Sequence, residues 1–230
     1  TDGFYEANSL ELRRGEAVIR ILPRDREVEL ASGERYRYDR LLIAIGSSAR
    51  PLDVACAGLR GSFTLRTLAD AEAIMDRARP GCRALVLGGG PVGVKAGMAL
   101  ARRGLDAELV VSSRRALSQV LDGPSADLAA ADLIAHGIGV RFGMDVVRLG
   151  GRDGCVAWAE LSYGSQVACD LVIGAKGVRP NVALARQAGL AVDNGVVVDD
   201  ELRTSAPDVY AAGDVAQAYD RAWGERRVSA

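Results

Sequence analysis

Lysine and histidine are nearly absent from this chain. Of its 230 residues 29 are basic, yet only Lys95 and Lys176 are lysine and only His136 is histidine. A single histidine excludes a histidine-rich metal site. It stands in Ala135-His136-Gly137, a predicted helix end where a polar cap is expected. The four cysteines, Cys56, Cys82, Cys155 and Cys169, lie far apart and form no CxxC pair. A disulfide scaffold, a zinc ribbon and a thioredoxin-type redox pair are therefore unsupported, and ordinary structural thiols are expected. No apolar run approaches the roughly 20 residues of a membrane span, and no basic-then-apolar signal segment opens the chain. Neither sign of charge is in excess: 29 basic residues face 30 acidic ones, for a net charge of -1. Without a basic stripe to neutralise phosphates, a nucleic-acid partner is not expected. A cytoplasmic protein is.

What the chain does have is an ordinary globular composition, 49% hydrophobic and 26% charged, which argues against disorder. A chain this long buries roughly 70% of its unfolded surface. The arginine excess matches codon bias in a GC-rich genome and draws the eye to the two lysines. Thr1 is not a natural initiator, and Tyr5 to Val18 reads as the middle of a fold, so a fragment is expected.

Residues 17–45 read as β-rich. Ala17 to Ile21, Glu27 to Leu30 and Tyr36 to Ile45 are short runs separated by Pro23-Arg24-Asp25 and Ser32-Gly33-Glu34, a hairpin or meander pattern. Leu41 to Ile45 is nearly continuous apolar, which predicts a strand buried on both faces. Residues 69–79 have helical spacing, with Ala73, Ile74 and Ala78 on one side, and Pro80-Gly81 ends them. Ala84 to Leu87 is a buried strand, Val92 to Arg103 a helix capped by Gly104, and Ala107 to Val111 the next strand: a βαβ unit. Ala126 to His136 is a second helix. Gly139 to Arg148, Val156 to Ser162 and Gln166 to Ile173 are strands, with turns at Gly150-Gly151 and Gly164-Ser165. A short helix over Asn181 to Ala188 and strands at 196–198 and 208–212 complete the pattern.

Gly88-Gly89-Gly90-Pro91-Val92-Gly93 satisfies GxGxxG between a buried strand and a helix, the context that motif requires. The first glycine permits the tight turn, the second lets a pyrophosphate approach the backbone, and the third lets helix and strand pack closely. The helix N-terminus offers unpaired N–H groups and partial positive charge. An NAD site usually has an acidic residue about 20 residues on, bonding the ribose 2′-OH. Here that place falls on Val111, followed by Ser112, Ser113, Arg114 and Arg115. Hydroxyls and guanidinium groups suit a 2′-phosphate, which favours NADPH over NADH. In an arginine-rich chain, two adjacent arginines also fit a solvated loop.

Five segments, in order, carry a resemblance. Tyr38 to Ser47 looks like a strand ending in an Ala-Thr-Gly turn, and Leu65 to Ala71 like a linker. Gly88 to Gly93 looks like a phosphate turn, Gly177-Val178-Arg179-Pro180-Asn181 like a closing segment, and Tyr210-Ala211-Ala212-Gly213-Asp214 like a second nucleotide motif. In these the chain resembles the FAD-dependent pyridine nucleotide-disulfide oxidoreductase family. The branch nearest in pattern holds NADH oxidases, coenzyme A-disulfide reductases, nitrite reductase flavin modules, and rubredoxin or ferredoxin reductases. The resemblance implies an α/β fold: a Rossmann-like NAD(P)-binding domain, three-layered with a parallel sheet plus a β-meander, inserted in a partial FAD-binding domain. The expected boundaries are 1–78 for the partial FAD domain, 79–193 for the NAD(P) domain, and 194–230 for the return to the FAD domain.

For NAD(P) the resemblance implies Gly88, Gly90, Pro91, Val92, Gly93 and Gly177, with Ser112 to Arg115. For FAD it implies Ala17, Val18, Ala44, Ile45, Gly46, Gly213 and Asp214. Asp214 alone would equally be a helix N-cap. The chain departs from the family in lacking the first FAD motif and the cysteines after it, and in lacking a C-terminal interface domain. Little or no FAD is therefore expected on this chain alone, and exposed apolar surface is expected to drive dimerisation or poor order near the termini. Ile45 replaces the usual threonine. Lys95 stands where many members have glutamate, and Lys176 where many have an apolar residue, on the two walls of the nicotinamide pocket. There they either flank the nicotinamide or flavin edge, or pair with carboxylates. No catalytic acid or base is expected within the chain. The leading function is hydride transfer from NAD(P)H to FAD and on to a small-molecule or protein acceptor. A nucleotide-binding regulatory module, or a structural or electron-transfer subunit of a larger oxidoreductase, are the alternatives.

Overall fold

A computed structural model describes residues 2–220 and 222–228. They form two compact units, Ser48–Arg179 and the pairing of residues before Ser48 with those from Pro180 onward.

The Ser48–Arg179 unit is built on a five-stranded parallel sheet. Its order is Ser62–Thr64, Leu171–Gly174, Arg83–Leu87, Asp106–Val111, Gly139–Phe142. The strands are apolar on both faces because both faces are covered. Val86, Leu109, Val111, Leu171 and Ile173 pack on helices through Ile74, Val94, Leu100 and Leu133. The alternate residues Leu85, Leu87, Val110 and Val172 pack on Val146, Leu149, Val156, Ala159 and Leu161 of an antiparallel meander. That meander comprises Val146–Arg152, Cys155–Leu161 and Gln166–Ala168. Helices, parallel sheet and meander make the three layers expected from the sequence.

The three helices carry their own start and stop signals. Leu68–Arg77 opens with a capping box. Thr67 Oγ1 accepts from the Asp70 N–H at 3.2 Å, and the Asp70 carboxylate accepts from the Thr67 N–H at 2.8 Å. Its buried side holds Ile74 and Ala78, while Ala73 turns out to be exposed. Pro91–Arg102 starts at a proline in its first position. Gly123–Ala135 is capped by Asp122, whose carboxylate accepts from the Ser125 N–H at 2.9 Å, and closes on His136.

Several sequence expectations change here. Gly139 to Arg148 is not one strand: Gly143 takes φ +68 and breaks it, leaving Gly139–Phe142 in the parallel sheet and Val146–Arg152 in the meander. Gln166 to Ile173 divides likewise at Asp170, whose carboxylate accepts from the Arg83 backbone N–H at 2.9 Å. Gly150-Gly151 is not a turn. It lies inside a strand, where a Cβ on Gly150 would fall 1.9 Å from the Trp158 ring. The turn is Asp153-Gly154, both at positive φ. The unit boundary also moves. Ser62–Thr64 extends the parallel sheet, so 48–78 joins that unit, while Ala185 and Leu190 belong to the other core, so 180–193 leaves it.

The second unit has a meander, Val18–Leu22, Glu27–Leu30 and Arg35–Arg37. Leu41–Ile43 pairs in parallel with Val209–Ala211. Its core gathers Ile21, Ile43, Ala185, Leu190, Val196, Val209 and Val215. Leu41 to Ile45 is not buried on both faces: Ile43 is 3% exposed but Leu42 is 59% and Ile45 45%. Among the described residues this strand has one partner strand and one packed face, which leaves Leu42 uncovered.

All four cysteines are free thiols. Burial pushes Cys169 up to about 12, so it stays protonated and unreactive at neutral pH. A thiol-specific disulfide reagent at pH 8 is expected to label exposed Cys56 promptly and Cys169 only after unfolding. Rapid labelling of Cys169 in the native chain would contradict its burial.

Candidate functional site: a glycine turn and a second glycine-aspartate turn

The first candidate lies in the Ser48–Arg179 unit, where strand Arg83–Leu87 hands the chain to helix Pro91–Arg102. Gly88 has φ +126, and a Cβ there would lie 2.4 Å from the Ala175 carbonyl oxygen. A Cβ on Gly93 would lie 2.1 Å from the Gly88 carbonyl oxygen. Strand end, helix and the 175–177 loop thus meet at positions closed to any side chain. Gly90 is different: a Cβ there would meet nothing within 4 Å. It is the helix N-cap. Pro91 lacks an N–H, so Val92 and Gly93 are among the donors without an intrahelical acceptor. The turn is closed where chain packs on chain and open where an anion would approach backbone N–H groups, so these residues fit a pyrophosphate.

At the end of strand Asp106–Val111, the Val111 side chain is 2% exposed. A Cβ on Gly89 would sit 2.7 Å from its Cγ1. It packs inward and offers nothing to a ribose hydroxyl. Ser112, Ser113, Arg114 and Arg115 are all exposed. Ser113 Oγ donates to the Arg115 carbonyl at 2.6 Å. The Arg115 guanidinium grips Asp127 with two hydrogen bonds, 2.7 and 3.2 Å. That grip holds the Asp127 carboxyl below the usual carboxylate range and raises Arg115. Arg115 is thereby committed to the first turns of helix Gly123–Ala135. Among the described residues Arg114 makes no ion pair.

Gly177 has φ +84, and its carbonyl accepts from the Arg50 N–H at 3.0 Å. Lys176 forms an ion pair with Asp145. Lys95 is exposed on helix Pro91–Arg102. Asp145 and Asp127 carried no sequence signal, because each is paired with a residue distant in the chain.

The second candidate lies in the other unit. Gly46, at φ +62, and Gly213, at φ +73, both have open space where a Cβ would point. Gly213–Val215 forms a single helical turn. The Asp214 carboxylate accepts from Ser47 Oγ at 2.7 Å. Asn181 fixes the neighbouring turn: its side-chain amide donates to the Ile45 carbonyl at 2.8 Å and its N–H to the Gly46 carbonyl at 3.0 Å. Ser47 and Asn181 were within the resembling segments but had been given no role. Ala17, Val18 and Ile45 line an open groove of about 690 Å³ with Pro180, Val182 and Leu184. Ala44, Gly46, Gly213 and Asp214 are not in its wall. Backbone open at two glycines beside a fixed carboxylate fits a ribityl hydroxyl approaching the main chain.

Parallel sheet, strand–glycine turn–helix and covering meander together define a Rossmann-like α/β fold. Comparison with known proteins makes this more specific. The family model described as pyridine nucleotide-disulphide oxidoreductase matches residues 5–228, and the chain belongs to that family. The rubredoxin-NAD(+) reductase of Pseudomonas putida is 32% identical over 223 residues, covering 97% of this chain and 58% of that protein. A ferredoxin reductase from Rhodopseudomonas palustris superposes with a TM-score of 0.94 at 29% identity, over 99% of this chain and 56% of that one. A covalent putidaredoxin reductase–putidaredoxin complex gives 0.93 at 31%, covering 99% and 56%. The chain thus spans a little over half the length of these relatives. Among the described residues no helix is long and apolar enough to cross a membrane, and no cluster of side chains would hold a metal ion.

Proposed function

We propose that the full-length protein is a flavin-dependent oxidoreductase that takes hydride from NADPH onto FAD and passes electrons to a small redox protein. The observation carrying this reading is the glycine turn, open at Gly90 and closed at Gly88 and Gly93. The nicotinamide supplies the hydride and the flavin accepts it and releases electrons singly or in pairs. The chain's own residues bind and orient. Gly88, Gly90, Pro91, Val92 and Gly93 hold the pyrophosphate, while Ser112, Ser113 and Arg114 read the 2′-phosphate. Gly177, Lys95 and Lys176 border the nicotinamide end, with Lys176 held by Asp145. Ala17, Val18, Ala44, Ile45, Gly46, Gly213 and Asp214 hold the flavin nucleotide, Asp214 oriented by Ser47. Relatives named for rubredoxin and putidaredoxin support a protein acceptor.

The test is anaerobic addition of NADPH to the full-length protein. Bleaching of the bound flavin at one equivalent of NADPH is expected, with electrons then passing to an added rubredoxin- or ferredoxin-type protein. A full-length protein that binds neither flavin nor nicotinamide nucleotide would end this reading.

A further inference from the structure

Leu117 is the one residue of the 112–122 loop outside glycine with a left-handed backbone, at φ 55. A γ-branched side chain is disfavoured in that region, so the surroundings must hold it there. They do so from three sides. Arg115, two residues earlier, is clamped by Asp127. Ala116 is fully buried, and its Cα would lie 3.2 Å from a Cβ on Gly89. The Leu117 side chain packs on the helix-side core, while its carbonyl accepts from the N–H groups of Val120 and Leu121, each at 2.9 Å.

The consequence falls on the glycine turn. The Leu117 N–H donates to the Gly89 carbonyl at 2.7 Å. In a trans peptide the carbonyl and the following N–H point in opposite directions. Tying the Gly89 carbonyl to the loop therefore turns the Gly90 N–H away from the loop, at a residue where an added Cβ would meet nothing within 4 Å. An untied diglycine peptide can flip at little cost, because glycine tolerates both signs of φ.

We propose that Leu117 is a positioning residue for dinucleotide binding: its left-handed backbone locks the Gly89–Gly90 peptide so that the Gly90 N–H meets the pyrophosphate. The inference rests on the NAD(P) reading of the glycine turn. It also accounts for glycine at position 89, where GxGxxG allows any residue. A side chain there would push against Val111 and the Ala116 backbone and disturb the tie.

The test uses the full-length holoenzyme with leucic acid incorporated at position 117, which replaces the N–H by an ester oxygen and keeps the side chain. Dissociation constants for NADPH and NADH are measured by calorimetry, and glycine amides are followed by selective nitrogen-15 labelling. Affinity for both nucleotides is expected to fall about 10-fold, the worth of one charge-assisted hydrogen bond. The Gly90 amide, shifted downfield by nucleotide in the wild type, should lose that shift. Leucic acid at position 121 removes one bond to the Leu117 carbonyl and leaves the Leu117 N–H on the Gly89 carbonyl; it is expected to bind both nucleotides within about 3-fold of wild type, which separates the tie from general loosening of the loop. Wild-type affinity in a folded ester variant, or an ester variant that keeps the Gly90 shift, overturns the proposal. An ester variant that fails to fold leaves the wild-type Gly90 shift to decide, and its absence is equally fatal. A wild type that binds neither nucleotide instead removes the NAD(P) reading, and the proposal with it.

Discussion

Gly93→Ala is expected to abolish nucleotide binding and to destabilise the Ser48–Arg179 unit by about 3 kcal/mol. The added Cβ would lie 2.1 Å from the Gly88 carbonyl oxygen and 3.0 Å from its carbon. Both atoms are backbone at the end of a core strand, so neither can rotate away. The helix must retreat from the sheet, carrying the N–H groups that face the pyrophosphate out of place. Gly97→Ala, one turn further along the same helix, is the informative control. Its Cβ would meet Leu109 Cδ1 at 2.6 Å, the end of a side chain that has another rotamer. The gain in helix propensity, about 1 kcal/mol, offsets part of the repacking cost. Urea denaturation and nucleotide titration of both variants check the pair. Equal effects would mean that crowding of the helix, rather than the Gly88–Gly93 approach, sets the site.

Arg114→Ala is expected to weaken NADPH binding about 30-fold, equivalent to ~2 kcal/mol for charge-assisted bonds to phosphate, and to leave NADH unchanged. Arg115→Ala is expected to behave differently. Its guanidinium is already satisfied by Asp127. That pair is half-exposed on both sides, so its loss should cost little stability. What Arg115 holds is the loop, and its removal should weaken both nucleotides alike. Titrating each variant with NADPH and NADH distinguishes the outcomes. If Arg114→Ala reduces both nucleotides equally, Arg114 is not reading the 2′-phosphate, and the preference for NADPH falls with it.

Much of this protein follows from local chemistry. Gly88 to Gly93 announced a strand–turn–helix because glycine and proline act on the backbone where they stand, and the structure shows that turn. The apolar strands Arg83–Leu87 and Asp106–Val111, and the five ordered motifs that place the chain in its family, were legible for the same reason. Each is a pattern within a dozen residues. Two of the expected runs failed because sheet membership is not a local property. Gly139 to Arg148 and Gln166 to Ile173 each look like one strand, yet each is divided between the parallel sheet and the meander that covers it.

Tertiary structure alone decided the rest, through contacts between distant residues. Four consecutive exposed residues, Ser112 to Arg115, were equivalent candidates until Asp127 claimed Arg115. Lys176 is expected at the nicotinamide end, and only the fold shows Asp145, 31 residues away, holding it. Leu117 bore no mark at all, because its left-handed backbone comes from a clamp, a buried alanine and a core contact acting together. The sequence determined where a dinucleotide can approach the backbone, since that depends on missing side chains. The fold determined which neighbouring side chains are already taken, since an ion pair or a fixed peptide exists only once distant segments have met.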